Sequence, residues 1–172
     1  MDKKSSTPLY WFGILVLVGV VALYIINVIL GPLNQDEGWY LLAGINAAQG
    51  MDPYKDFAYT QAPLLPYFYG AFSGLWSQAG VLGGRVFTAV LGVLGLFFVS
   101  VAAYCLAPKG RKGVAAIVTM SLLGLCPVYS YFTAIPKTYA LAGLFVGAGV
   151  FSLVSRKRLS FEFAAAFFAL AT

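Results

Sequence analysis

Apolar residues gather in long blocks along this chain. Five blocks, 9–30, 63–80, 86–107, 114–133 and 139–155, each approach the ~20 residues that a helix needs to cross the hydrocarbon core of a bilayer. The pattern predicts an all-α fold, a polytopic bundle of transmembrane helices. A sixth block opens at Phe161 and runs only to Thr172. The chain is therefore expected to end inside a span as an amino-terminal fragment, with a short interfacial helix as the alternative.

Block 63–80 decides the topology, because counting it as a span reverses everything after it. With Lys3 and Lys4 inside and 63–80 crossing, four basic residues lie inside and seven outside. If it does not cross, eight lie inside and three, Lys55, Arg85 and Lys137, lie outside. Basic residues concentrate in cytoplasmic loops, so the second arrangement is preferred. Pro63, Pro66, Tyr67, Tyr69, Ser73, Trp76, Ser77 and Gln78 agree with it, since aromatic residues favour the headgroup region, where an amphipathic helix can lie without crossing. The expected organisation is one transmembrane domain, 1–172. Within it, 9–30 is the first span and an uncleaved signal anchor, 31–84 is an extracytoplasmic loop with interfacial helices, and 85–172 holds further spans. The aromatics Trp39, Tyr54, Tyr59, Tyr67, Tyr69 and Trp76 are expected to form an interfacial belt.

Composition narrows the function. Sixty per cent of residues are hydrophobic and 10% charged, well below the ~25% charged residues of a soluble domain, and no separate soluble domain fits in what the spans leave. The net charge of +5 sits in short basic runs between apolar blocks, which points to membrane topology and not to nucleic acid. Cys105 and Cys126 lie within apolar blocks and read as packing residues. Four of the six carboxylates, Asp36, Glu37, Asp52 and Asp56, fall in the long loop, which is where polar chemistry is expected. The loop begins with a predicted helix over 37–49, capped by Asn34 or Asp36 and stopped at Gly50; Asp52-Pro53 marks a turn.

The succession Asp36-Glu37-Gly38-Trp39-Tyr40, Gly50-Met51-Asp52-Pro53-Tyr54-Lys55-Asp56-Phe57 and Gln61-Ala62-Pro63-Leu64-Leu65-Pro66-Tyr67, with Arg85 opening the next span, resembles the GT-C membrane glycosyltransferases. The likeness is to the branch of protein O-mannosyltransferases and aminoarabinose transferases to lipid A. It implies transfer of a sugar from a polyprenyl-phosphate donor to a lipid, glycan or protein acceptor at the outer face of the cell membrane. The family's catalytic aspartate falls on Asp36, with Glu37 beside it. A phosphate leaving group needs no strong general acid, so one carboxylate facing the acceptor and positive charge at the phosphate suffice. Arg85, Lys137 and Lys55 are the candidates for donor phosphate, and Asp56, Tyr54 and Gln61 for support of substrate or metal. A divalent cation, Mg or Mn, would rest on Asp36 and Asp56. The sequence departs from the aminoarabinose branch at Gln61-Ala62, where that branch has a Glu-Lys pair, and at Pro136-Lys137, where it has an aspartate.

Each assignment has a structural competitor. Asp36 can cap a helix, Glu37 can serve the helix dipole, Asp56 can belong to a solvated turn, and the basic residues can reach toward lipid phosphates. The rival function is a non-catalytic multi-span subunit of a lipid-linked-sugar flippase or a transporter. That class places ionisable residues or broken helices near the bilayer midplane, whereas the charge here lies at the loop.

Overall fold

The computed structural model describes residues 6–155 and 160–171. The basic residues Lys3, Lys4, Arg156, Lys157 and Arg158, on which part of the charge count rests, lie outside the described residues. Among the described residues the chain is all helical, with no strand. Helix α1 spans Ser6–Leu30, α2 Gln35–Ala48, α3 Leu64–Ala71 and α4 Ser73–Trp76. A 3-10 turn, Ser77–Ala79, leads into α5, Gly80–Leu106. Then follow α6 Lys112–Gly124, α7 Pro127–Phe132, α8 Thr138–Ser155 and α9 Ser160–Leu170. Three helical runs, Pro8–Leu30, Ser73–Leu106 and Thr138–Ser155, are long and apolar enough to cross a membrane.

Two blocks fold differently from their hydropathy. Block 63–80 is divided into α3, α4 and the 3-10 turn, and α5 begins at Gly80, ahead of the expected 86. Gly80, at φ +56°, takes the left-handed conformation that lets the chain turn between the 3-10 segment and α5. Block 114–133 is divided into α6 and α7 at Cys126-Pro127. Proline offers no N–H to continue the ladder and its ring disfavours helix in the residue before it, and Cys126 is indeed extended.

Helix α5 is the central post. On one side it packs with α1 through Val16, Val20, Tyr24, Val28, Ala89 and Leu96. On the other, Leu91 joins a second core formed by Tyr40 and Leu41 of α2, Leu65 and Tyr69 of α3, Trp76, and Ala140 and Leu141 of α8. Tyr59, Tyr69 and Trp76, expected in an interfacial belt, are instead interior residues, 5%, 0% and 2% exposed. Tyr69 of α3 reaches α5, where its hydroxyl meets that of Thr88 at 2.6 Å, Trp76 Nε1 donates to the Tyr69 carbonyl at 3.1 Å, and Tyr59 stacks on Trp39 of α2 with ring centroids 4.9 Å apart. Tyr54 and Tyr67 remain exposed.

Candidate functional site

Asn34 is the N-cap of α2. Its side chain accepts from the Asp36 N–H at 3.1 Å, and the Glu37 carboxylate accepts from the Asn34 N–H at 2.7 Å, a reciprocal capping box. Asp36 therefore does not cap the helix, and its side chain points elsewhere. The helix stops at Gly50, whose φ of +82° suits glycine.

Glu37 is buried, 1% exposed, and paired with Arg85, 4% exposed. Arg85 Nε donates to Glu37 Oε2 and Nη2 to Oε1, both at 2.6 Å. Nη1 donates to the carbonyls of Val28 and Gly31 at 3.2 and 2.9 Å, and Nη2 to Pro32 at 2.9 Å. A guanidinium has five N–H donors, and all five are used. The carbonyls lie at the C-terminal end of α1, where the last turn of a helix leaves acceptors without internal partners. Arg85 thus binds the end of α1, the first turn of α2 and the start of α5 into one unit. Arg85 therefore has no N–H left over for a substrate phosphate.

One residue earlier, Asp36 turns toward the segment between α7 and α8. Its Oδ2 meets Lys137 Nζ at 2.8 Å, with the aspartate side chain 44% exposed and the lysine 13%. The carboxylate holds the ammonium pKa above its ordinary value, so Lys137 is a cation at any physiological pH. Tyr40, one helical turn beyond Asp36, shares its face of α2. Burial is the main cause that raises the pKa of the Tyr40 hydroxyl, and Gln61 Nε2 donates to it at 2.6 Å. The Tyr54 hydroxyl donates to the Gln61 carbonyl. These bonds fasten the 51–61 loop to α2 beside the Asp36–Lys137 pair.

The remaining candidates form a separate, exposed turn. Asp56 Oδ2 accepts from the Asp52 N–H at 2.8 Å, Lys55 lies 3.7 Å from Asp52, and the Tyr67 hydroxyl donates to Asp52 Oδ1 at 3.1 Å. Tyr54 sits in this turn at φ +68°, a conformation that costs a bulky residue about 1–3 kcal/mol unless its surroundings hold it. Its bond to Gln61 is such a hold. Asp36 and Asp56 are thus engaged with different partners, and among the described residues no group of three His, Cys, Asp or Glu side chains could hold a metal ion.

Of the sequence candidates, the fold brings together Asp36 with Lys137 and Glu37 with Arg85, and ties Tyr54 to Gln61. It keeps Lys55 and Asp56 in their own turn. Tyr40 and Asn34 were not among the site candidates, although the spacing of Tyr40 from Asp36 was open to view. No known protein family, curated protein or solved structure matches the chain.

Proposed function

We propose that the protein is a membrane glycosyltransferase that moves a sugar from a polyprenyl-phosphate donor to a hydroxyl of a lipid, glycan or protein acceptor at the outer face of the cell membrane. The observation that carries this reading is the Asp36–Lys137 pair. A partly exposed carboxylate and the ammonium of a lysine whose side chain is 13% exposed stand 2.8 Å apart just beyond the first span. Transfer of a sugar from a phosphate needs those two functions. The acceptor oxygen attacks the anomeric carbon and its proton passes to Asp36. The bond from that carbon to the phosphate oxygen breaks, the electron pair stays on the phosphate, and Lys137 offsets the charge. Glu37 and Arg85 are positioning residues: they fix the start of α2, and with it the direction of Asp36.

A second reading, a non-catalytic subunit of a lipid-linked-sugar flippase or a transporter, draws on the break between α6 and α7, since interrupted helices are a transporter feature. Among the described residues no acidic or basic side chain lies in that break, Leu125-Cys126-Pro127; the polar groups near it are Asn27 and Ser130, bonded at 3.1 Å, and Tyr24 and Thr133, at 2.7 Å. The enzyme reading is preferred for that reason.

Membranes from cells expressing the protein, supplied with labelled polyprenyl-phosphate sugars, should release free polyprenyl phosphate and label an acceptor. Asp36→Asn leaves the Asn34 cap in place and should change stability little. Turnover should fall by about 10²- to 10⁴-fold, the worth of a positioned general base. Undiminished transfer by Asp36→Asn would remove the base from the mechanism. Sugar translocation without release of polyprenyl phosphate would favour the second reading.

A further inference from the structure

Apart from the five basic residues that lie outside the described ones, the cations of the chain divide by end of the bundle. Lys55, Arg85 and Lys137, at the end that holds Asp36, are each paired with a carboxylate. Lys109, Arg111 and Lys112, at the turn from α5 to α6 at the other end, form no ion pair among the described residues, and Glu162 at the start of α9 is not paired with them. Lys109 and Arg111 are exposed, and the Lys112 ammonium stands 5.2 Å from the centre of the Tyr104 ring, a contact that leaves its charge uncompensated. Tyr10 and Trp11 of α1 and Tyr104 of α5 are exposed at this same end. Exposed tyrosine and tryptophan near the end of a span settle at headgroup level, so the turn lies among lipid phosphates. Beside it a groove of about 370 Å³ opens between α1 and α6, walled by Leu9, Tyr10, Ile14, Leu17, Gly113 and Ile117. Gly113 joins the two features, since it follows Lys112 in the chain and forms part of the groove wall. No residue of α1 from Pro8 to Leu15 is buried, and its buried contacts begin at Val16. At 1.5 Å per residue the wall from Leu9 to Leu17 is ~12 Å long, most of the depth of one leaflet of a ~30 Å hydrocarbon core.

We propose that the α5–α6 turn and the groove between α1 and α6 form a docking surface for one anionic phospholipid of the adjoining leaflet. Its phosphate is held by Lys109, Arg111 and Lys112, and one acyl chain lies along Leu9, Ile14, Leu17 and Ile117. The inference stands apart from the glycosyltransferase reading, because it uses no residue of the Asp36 site and holds equally for a subunit without catalysis. A zwitterionic lipid carries its own cation beside its phosphate, so three unpaired cations favour a headgroup of net negative charge. The acyl chain supplies the apolar contact that the first turns of α1 lack, and the headgroup ties that end of α1 to the start of α6. No covalent bond changes.

The test counts the lipid that the purified protein carries. From micelles holding phosphatidylglycerol and phosphatidylcholine in equal amounts, native mass spectrometry should find phosphatidylglycerol retained in preference. Each cation near an anionic surface supplies a similar share of the attraction, so Lys109→Gln or Arg111→Gln should cut the preference by about fivefold. Changing Lys109, Arg111 and Lys112 to glutamine together should cut it by about a hundredfold. Lys55→Gln removes the same charge at the opposite end and should leave the preference as it was. Leu17→Trp, filling the groove from an exposed position on its wall, should weaken retention of phosphatidylglycerol. Glycerol phosphate, a headgroup without chains, should not displace the lipid. The thermal midpoint of each variant in phosphatidylcholine nanodiscs checks the fold, and if the triple change lowers it, the two single changes decide. An unaltered preference after removal of the cations overturns the proposal, as does an equal loss from Lys55→Gln. Retention by Leu17→Trp equal to the wild type overturns the acyl seat, and displacement by glycerol phosphate would make a free phosphate the ligand and overturn the lipid.

Discussion

Adjacent carboxylates in one helical turn have opposite fates here, and the difference is burial. Glu37 faces inward and would be costly as a lone charge, so its place depends on Arg85. Removing one member of such a pair costs about 3–5 kcal/mol. Arg85→Met should therefore lower the thermal midpoint in detergent sharply. Arg85→Lys should also lower it, because an ammonium supplies three donors where five are used. The double variant Glu37→Met with Arg85→Met no longer strands a charge and should recover part of the loss. It should remain below the wild type, since the Val28 and Gly31 carbonyls lose the Arg85 donor, at about 1–3 kcal/mol for each one left buried and unpaired. An Arg85→Lys midpoint equal to the wild type would show that charge alone matters.

At the scale of elements, the contact between α5 and α8 sets where Lys137 can be, because that residue immediately precedes α8. The two helices meet backbone to backbone. A Cβ added at Gly95 would lie 2.9 Å from the Gly143 carbonyl group, and one at Gly147 would lie 2.7 Å from the Gly95 carbonyl oxygen. Neither can be accommodated without parting the helices. Gly113, in α6, offers the contrast, since a Cβ there meets its nearest atom at 3.5 Å. In a helix interior alanine is favoured over glycine by about 0.5–1 kcal/mol. Gly113→Ala should hold or raise the thermal midpoint. Gly95→Ala, in the interior of α5, should lower it despite the gain in helix propensity, by about the 1–3 kcal/mol typical of overpacking. On the glycosyltransferase reading proposed above, it should also slow sugar transfer by displacing Lys137 from Asp36. A Gly95→Ala protein as stable and active as Gly113→Ala would mean that the crossing has slack.

For the whole molecule, the two ion pairs collect the C-terminal end of α1, the first turn of α2, the start of α5 and the approach to α8 at one end of the bundle. Helix α3 lies alongside the first turns of α5, with Tyr69 on Thr88. If that end faces outward, as the basic residues suggest, the turn between α5 and α6 faces the cytoplasm. In a background with Cys105 and Cys126 replaced by alanine, a cysteine at Gln49 should react with an impermeant thiol reagent on intact cells, and one at Lys109 should not. Both positions are exposed, so accessibility depends on the side of the membrane. Labelling at Lys109 with protection at Gln49 would invert the arrangement.

Local signals and distant contacts divided the outcome between them. Apolar blocks of membrane length announced the spans, because hydrocarbon admits long runs of apolar residues and few charges. Gly50 announced the end of α2, and Asn34 or Asp36 its start, because caps are made by residues a few positions apart; the structure chooses Asn34 and begins the helix at Gln35, two residues before the expected Glu37. Pro127 was also visible as a break in block 114–133, yet the average hydropathy across it concealed the interruption. What the sequence could not contain was the choice of partner. Asp36 and Glu37 are neighbours with the same charge, and only the rotation of α2 against α1 and α5 sends one to a buried guanidinium and the other to Lys137. That Arg85 is exhausted while Lys137 has donors to spare follows from the same packing. The capacity of a charged group to bind something new is fixed by which acceptors the fold has already placed around it.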